Sequence, residues 1–285
     1  MLLKNKIAII TGAGGGIGST IAHTFAKEGC SVILVDCVKS NLDKVSKELE
    51  KYNSEVLTMT ADASNKKEID NVVDSALRKF SKIDILVNAA GIQGPIGPFV
   101  DNDIDKWIGT MNVNLNATIL FIKTILPIMM KQKSGKIINF SGGGAFNPRS
   151  NFSAYATSKA AVVRFTETLA AEVKEHNIQV NAISPGAVNT KMLEQVLESE
   201  PDVVGDEFYK KSIKQKEEGG DSPQLAADLV LFLTSEKSYN LNGKIISAKW
   251  DNWRNWGKKE IEQIMKSSDC SLRRIDNQYF KEIKK

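Results

Sequence analysis

KIAIITGAGGGIGSTIAHTFAKEGCSVILVD, residues 6 to 36, reads as a strand, a glycine turn, a helix and a second strand. Ile7, Ala8, Ile9 and Ile10 form an apolar run without alternation, as in a strand covered on both faces. Thr11 to Gly18, TGAGGGIG, supplies the turn. An amphipathic helix carrying Ile21, Ala22, Phe25 and Ala26 follows and stops at Gly29. Val32 to Val35 then make a second buried strand that ends on Asp36. Glycines at 12, 16 and 18 permit a tight turn and a backbone approach that a Cβ would block. The helix start behind them offers free N–H groups and a positive dipole end to a pyrophosphate. Strand before, helix after and an acid closing the second strand together specify a dinucleotide-binding unit.

Asp36 bears on which dinucleotide. A carboxylate there accepts hydrogen bonds from the adenosine ribose hydroxyls and repels a 2′-phosphate. Cys37 and Val38 come next and the nearest lysine is Lys39, so no arginine is poised to receive a phosphate. NAD(H) is therefore expected in preference to NADP(H).

Much further along, SAYATSKAA at 153 to 161 sets Tyr155 and Lys159 four residues apart. On a helix that spacing puts both on one face, about 6 Å apart along the axis. An ammonium beside a phenol favours the phenolate and lowers its pKa from the usual ~10. A tyrosine so tuned can exchange a proton with a substrate oxygen near neutral pH.

With both ends in view, the chain resembles the short-chain dehydrogenase/reductase family over about residues 5 to 248. TGAGGGIG, with Gly12, Gly16, Ile17 and Gly18, matches the family's cofactor turn. ADAS at 61 to 64, with Asp62 and Ala63, follows the third strand where the family places an aspartate beside the adenine. NAAG at 88 to 91, with Asn88, Ala89 and Gly91, closes the fourth strand against the cofactor. VNL at 113 to 115 contains the active-site asparagine, Asn114. PGAVNT at 185 to 190, with Pro185, Gly186, Val188 and Thr190, matches the loop that contacts the nicotinamide. The resemblance implies a Rossmann-type, doubly wound parallel sheet in a three-layer α/β/α fold. It also implies an NAD(H)-dependent oxidoreductase interconverting a secondary alcohol and a ketone. Tyr155 would be general acid in reduction and base in oxidation. Lys159 would hold the nicotinamide ribose and depress the tyrosine pKa, and Asn114 would interrupt its helix and hold a water linking Lys159 to solvent.

The family's serine usually stands thirteen residues before the tyrosine, and here that position is Gly142. Ser141 is its neighbour, ahead of three glycines whose flexibility would let it reach the same place. It is expected to hydrogen-bond the substrate oxygen where charge develops. Ser150 and Ser153 are alternatives, and a hydroxyl that only closes its strand is the competing role for Ser141.

The rest of the chain agrees. Apolar stretches at 6–10, 31–36, 55–60, 83–88, 136–140, 178–184 and 243–247 alternate with helical ones, the pattern of a parallel sheet with helices on both faces. A single domain over 1–249 is expected, with a substrate lid at about 190–222 and a C-terminal extension over 250–285. The first strand begins almost at Met1, no uninterrupted apolar run approaches ~20 residues, and three cysteines lack ligand spacing. Those features point to a cytoplasmic protein without a metal site or membrane span. His23 and His176 are placed for neither a triad nor a metal cluster. A net charge of +4 without a basic, aromatic-interleaved stripe argues against nucleic acid.

Lid lysines 191, 210, 211, 214 and 216 form either an anion-attracting rim or a solvated face. In the extension, Trp250, Trp253 and Trp256 recur at i, i+3, i+6, as along one side of a helix packed on the domain or on another subunit. From 258 to 285, eight Lys/Arg stand against five Asp/Glu. The ending loosely resembles members associated with bacterial surface-sugar pathways, implying a sugar or nucleotide-linked sugar substrate. A 3-oxoacyl thioester or small polyol is the alternative, and a non-catalytic NAD(H) sensor or scaffold is the reading of another class. The resemblance further implies a homodimer or homotetramer, joined through the helix after Val113 and the helix bearing Tyr155. Small and apolar residues from 160 to 173 suit such a contact.

Overall fold

The computed structural model describes residues 1–274. Seven parallel strands form one sheet in the order β3-β2-β1-β4-β5-β6-β7. They are β1 (Ile7–Thr11), β2 (Ser31–Asp36), β3 (Val56–Thr60), β4 (Ile85–Asn88), β5 (Gly135–Phe140), β6 (Ile178–Ser184) and β7 (Ile245–Ser247). Each begins or ends within two residues of the apolar stretches read from sequence, most plainly in β1, β2 and β4, where burial on both faces leaves an almost wholly apolar run. In register, Ile9 lies beside Ile33 on one side and Leu86 on the other.

Through the central strands, helices α1 (Gly16–Lys27), α2 (Lys39–Leu49), α3 (Lys66–Phe80), α4 (Ile104–Met111), α5 (Ala117–Gln132) and α6 (Ser153–Glu172) cross over. Residues 191–218 carry α7 (Lys191–Glu198), α8 (Pro201–Val204) and α9 (Asp206–Glu218); α10 (Pro223–Thr234) and α11 (Lys258–Lys266) follow. Local chemistry sets several starts: Asn65 caps α3, Asp103 caps α4, and Ser222 caps α10 with Pro223 at its first turn. One core lies between the sheet and α1 and α10, centred on Phe25, Ile10, Leu34 and Leu233. The other, with Ile9, Leu86, Phe121 and Ile125, lies under α3, α5 and α6.

Between α4 and α5 the helix continues through a π-turn at Asn112–Asn116. The combined helix, Ile104–Gln132, is long and apolar enough to cross a membrane by length and composition, although no single uninterrupted apolar run reaches that length. One face is committed to the core through Phe121, Ile122, Ile125 and Met129.

The extension does not form the tryptophan-faced helix suggested by its spacing. Only Trp253–Asn255 adopt a 3₁₀ turn. Trp253 is buried against Phe232, their ring centroids 5.6 Å apart, whereas Trp250 is 79% exposed. An aromatic every third residue follows a helix face only if the backbone stays helical, and here the chain is turning off the sheet. Ile261 and Ile264 of α11 join the same core. The chain then returns along the sheet edge, where Cys270 O accepts from Ile245 N–H of β7 at 2.8 Å. An edge strand is thereby covered. The charge excess expected over 258–285 lies partly in 275–285, outside the described residues.

Candidate active site

Chain reversal between β1 and β4 opens a crevice at the carboxyl ends of the strands, the place where doubly wound sheets bind ligands. Thr11 ties the two strands together: its hydroxyl accepts from Ala89 N–H and Ala90 N–H, both at 3.1 Å. Gly12 has φ +66°, and a Cβ there would lie 2.9 Å from the Ala90 backbone. A Cβ on Gly18 would overlap the Gly12 carbonyl oxygen. Gly16 and Ile17 open α1, whose N-cap Gly15 supplies no side-chain cap, and the first turn holds no acid. Free N–H groups at a helix start with a glycine wall in front form an anion seat.

Asp36 stands at the end of β2 with its carboxylate oriented by two backbone donors, Gly14 N–H and Val38 N–H, each at 3.0 Å. Lys39, the nearest lysine, is paired with Asp43 at 2.7 Å. Asp62 and Ala63 follow β3 on the adjoining edge, and the Asp62 carboxylate accepts from Ser64. Asn88 is turned inward: its amide donates to Asn139 at 2.9 Å in the core, so its side chain braces the strand ends. Ala89 and Gly91 continue from it along the crevice. These residues fit a nicotinamide dinucleotide.

Beyond β6, Pro185, Gly186, Val188 and Thr190 form the opposite wall. Gly186 has φ +93°, and a Cβ there would lie 2.8 Å from the Asp221 carboxylate. Asp221 accepts from Ala187 N–H at 2.8 Å and pairs with Lys249 at 2.8 Å. Burial raises the Asp221 pKa, but Lys249 and the Ala187 N–H outweigh it and leave the carboxyl below its ordinary value.

Helix α6 carries Tyr155 and Lys159, both buried. The Lys159 ammonium lies 5.7 Å from the Tyr155 ring centroid and donates to Phe140 O at 2.9 Å. Asn114 sits in the π-turn with its amide orientation set by Ile92, whose N–H it accepts at 2.8 Å and whose carbonyl it bonds at 2.9 Å. It also donates to Ser158 Oγ at 3.0 Å, linking the π-turn to α6. Asn114 and Lys159 meet at Gly91: a Cβ there would lie 3.2 Å from the amide oxygen and 3.4 Å from the ammonium.

The electrostatics differ from the expectation that lysine holds the phenol acidic. Burial pushes Tyr155 above the ordinary phenol value, and the cation opposing that rise is Arg149. Lys159 is itself pushed down to about 8 by burial. Desolvation penalises both charged forms together.

Ser141 is buried, and its hydroxyl has no hydrogen-bond partner. It therefore does not bond the Tyr155 hydroxyl in this chain. Gly142 lies against the phenol instead: a Cβ there would overlap the Tyr155 oxygen. Ser153 is occupied by Trp107, whose indole N–H donates to it at 3.0 Å, and Ser150 is exposed. The lid helices pack Val196, Val204, Phe208 and Tyr209 around Phe152. Lys211 and Lys214 pair with Glu207 and Glu218 along α9, the pattern of a solvated face.

Sequence reading missed four residues that shape the crevice: Thr11, Ser158, Asp221 and Arg149. Thr11 and Ser158 lie inside the quoted motifs, so attention to their hydroxyls would have found them. Asp221 and Arg149 act through contacts 34 residues away and across the lid, respectively, and carry no local signal.

Comparison with known proteins agrees with this geometry. The short chain dehydrogenase family pattern matches residues 6–201. The 3-oxoacyl-(acyl-carrier-protein) reductase FabG of Thermotoga maritima is 33% identical over 246 residues, covering 86% of this chain and 97% of that protein. The 2,3-dihydro-2,3-dihydroxybenzoate dehydrogenase of Bacillus subtilis is 34% identical over 238 residues, covering 82% and 90%. An NAD+-bound xylitol dehydrogenase structure superimposes with a TM-score of 0.78 at 29% identity, covering 87% of this chain and 98% of that one. A chain that sets a glycine cradle beside a buried Tyr-Lys-Asn cluster, and matches those proteins over most of its length, belongs to the short-chain dehydrogenase family of oxidoreductases.

Proposed function

We propose that this protein interconverts a secondary alcohol and a ketone with NAD(H), Tyr155 serving as acid and base. The observation carrying the reading is the meeting of Asn114 and Lys159 at Gly91, with Tyr155 one helical turn from Lys159 against Gly142, beside a cradle ending in Asp36. Gly12, Gly16, Ile17 and Gly18 would hold the pyrophosphate and Asp36 the adenosine ribose. Asp62 and Ala63 would flank the adenine. Asn88, Ala89 and Gly91, with Pro185, Gly186, Val188 and Thr190, would enclose the nicotinamide half, and Lys159 its ribose. The bound nicotinamide supplies or accepts the hydride.

Tyr155 gives its hydroxyl proton to the carbonyl oxygen in reduction and takes it back in oxidation. Lys159, near the ring and bonded to Phe140 O, places positive charge where phenolate forms. Asn114 holds the water through which Lys159 exchanges protons with solvent. Ser141 has a spare buried hydroxyl and would donate to the substrate oxygen; a buried donor left unpaired costs about 1–3 kcal/mol until something accepts from it. The lid at 190–222 would close over the substrate, and the extension from 250 onward would serve packing, with Trp253 as its anchor.

A small polyol or a 3-oxoacyl thioester suits the crevice, in keeping with the xylitol dehydrogenase and the acyl-carrier-protein reductase among its relatives. A nucleotide-linked sugar drew support from lid lysines, and two of those are already paired with carboxylates. Three free thiols suit a reducing, cytoplasmic setting. The test is the reduced-nicotinamide absorbance with a panel of ketones, polyols and sugar nucleotides. Turnover with NADH at least about tenfold more efficient than with NADPH, abolished by Tyr155→Phe, supports the reading. Tight NADH binding without turnover, indifferent to Tyr155→Phe, would leave a nucleotide sensor instead.

A further inference from the structure

Arg149 lies outside every motif, yet it stands as near the Tyr155 ring as Lys159 does. Its guanidinium carbon sits 4.1 Å from the ring centroid of Phe152, 4.2 Å from that of Phe208 and 5.8 Å from that of Tyr155. Phe152 leads into α6 and is fully buried, and Phe208 belongs to lid helix α9. The two rings meet edge-to-face, 5.2 Å apart at 66°, and the guanidinium rests against both, a favourable cation–π arrangement that holds it in place.

Its N–H edge is unused. Arg149 Nε is buried and finds no acceptor, and no carboxylate among the described residues comes within ion-pair distance of the side chain. A half-buried charge without a counterion is costly, and an apolar side chain would pack against two phenylalanines without that cost. Gly142 to Gly144 form the wall shared by Arg149 and Tyr155: a Cβ on Gly143 would lie 3.6 Å from the guanidinium, and one on Gly142 would strike the phenol. The guanidinium and the Tyr155 hydroxyl therefore border neighbouring residues of one glycine stretch.

We propose that Arg149 is a receptor for a carboxylate on the substrate, which makes the substrate class an oxo acid or its hydroxy acid rather than a neutral ketone. The inference rests on the alcohol–ketone reading above and adds a charge to it. A planar guanidinium with its N–H edge free matches a carboxylate in two parallel hydrogen bonds. Helix α9 takes part through Phe208, which lies against the guanidinium.

The probes are acetoacetate and levulinate against their methyl esters, which keep the carbon skeleton and remove the charge. Reduction by NADH is followed in the wild type, Arg149→Gln, Arg149→Lys and Phe208→Leu. A lost charged hydrogen bond is worth roughly 10- to 100-fold, so the wild type should favour acid over ester by that factor in kcat/KM. Arg149→Gln should erase the preference through KM for the acids, any change in kcat from the lost charge beside Tyr155 being shared by acid and ester, and Arg149→Lys should restore part of it. Phe208→Leu should slow acid and ester alike, because it loosens the lid and keeps the charge. Equal losses on acid and ester in Arg149→Gln, or a wild type that favours the ester, overturn the proposal while leaving the oxidoreductase reading intact.

Thermal shifts of the NADH-loaded protein with the same acids separate the two claims where turnover is not seen. A shift that vanishes in Arg149→Gln supports the anion site, even if the redox reading falls. No shift with either acid overturns it.

Discussion

Position 142 is where a single atom matters most. The family's usual serine site is glycine here, and its missing Cβ is what lets the Tyr155 hydroxyl occupy its place. Gly142→Ala should displace the phenol and lower kcat by about 10- to 100-fold with NADH affinity unchanged, measured by single-turnover kinetics and fluorescence titration. Ser141→Ala should lower kcat by on the order of 100-fold if its spare hydroxyl meets the substrate. Should Ser141→Ala leave turnover intact, the donor role is gone. Burial holds Tyr155 protonated past the ordinary phenol range, so it is ready as an acid and reluctant as a base. Reduction should thus stay level across neutral pH, whereas oxidation should climb from about pH 7 to about pH 10 as the phenolate becomes accessible. A bell centred near neutrality for oxidation would contradict this. Lys159 has the opposite linkage to a paired lysine. Its pKa is depressed in the fold, so the cost of burying its charge is present below about 8 and is relieved as pH rises towards 10.5.

At the scale of elements, the loop after β6 is held from outside, by the Gln215 amide, which donates to Ala187 O and Asn189 Oδ1, and by Asp221. Asp221 reaches it from the start of α10, and Lys249 fixes Asp221 from the end of β7. Asp221→Asn removes the ion pair and should weaken NADH binding by about tenfold, read by titration, with little change in unfolding temperature. Because its pKa is depressed in the fold, the Asp221 contribution is complete above the ordinary carboxylate value of 3.8 and is lost as pH falls through its lower folded value. The π-turn shows a similar economy. Five residues, Asn112–Asn116, interrupt one long helix and aim Asn114 at Ile92 and Ser158. Neither device was legible locally: VNL marks the asparagine but does not announce a π-turn, and Asp221 follows two glycines like any loop acid.

At the scale of the molecule, the extension completes the core beside α10. Trp253→Ala removes a buried indole packed on Phe232 and should cost about 3–5 kcal/mol of unfolding free energy, measured by denaturant titration, with the crevice untouched. Assembly is a separate proposal. Thr157, Ala161, Arg164 and Thr168 follow one face of α6, at steps of four, three and four residues, away from the core. If that face pairs with its copy, Ala161→Arg should convert a dimer to a monomer by light scattering, and a wild type already monomeric at micromolar concentration would remove the claim.

The order of the elements was legible because the central strands β1, β2 and β4 are nearly uninterrupted apolar runs and the remaining strands are still largely apolar segments set between longer helical ones. The glycine turn, Asp36, Asn114, Tyr155 and Lys159 were legible because their chemistry depends on spacing along one or two elements. Everything that required two distant segments to meet was not. The sequence shows an arginine in a polar loop, but folding brings Phe152 and a lid phenylalanine around it. It shows a tyrosine one turn from a lysine, but burial, which depends on every layer above them, sets how readily either carries charge. Desolvation is a property of the packed interior and has no counterpart in residue order, and this is why the tertiary structure alone decided the protonation balance of the site.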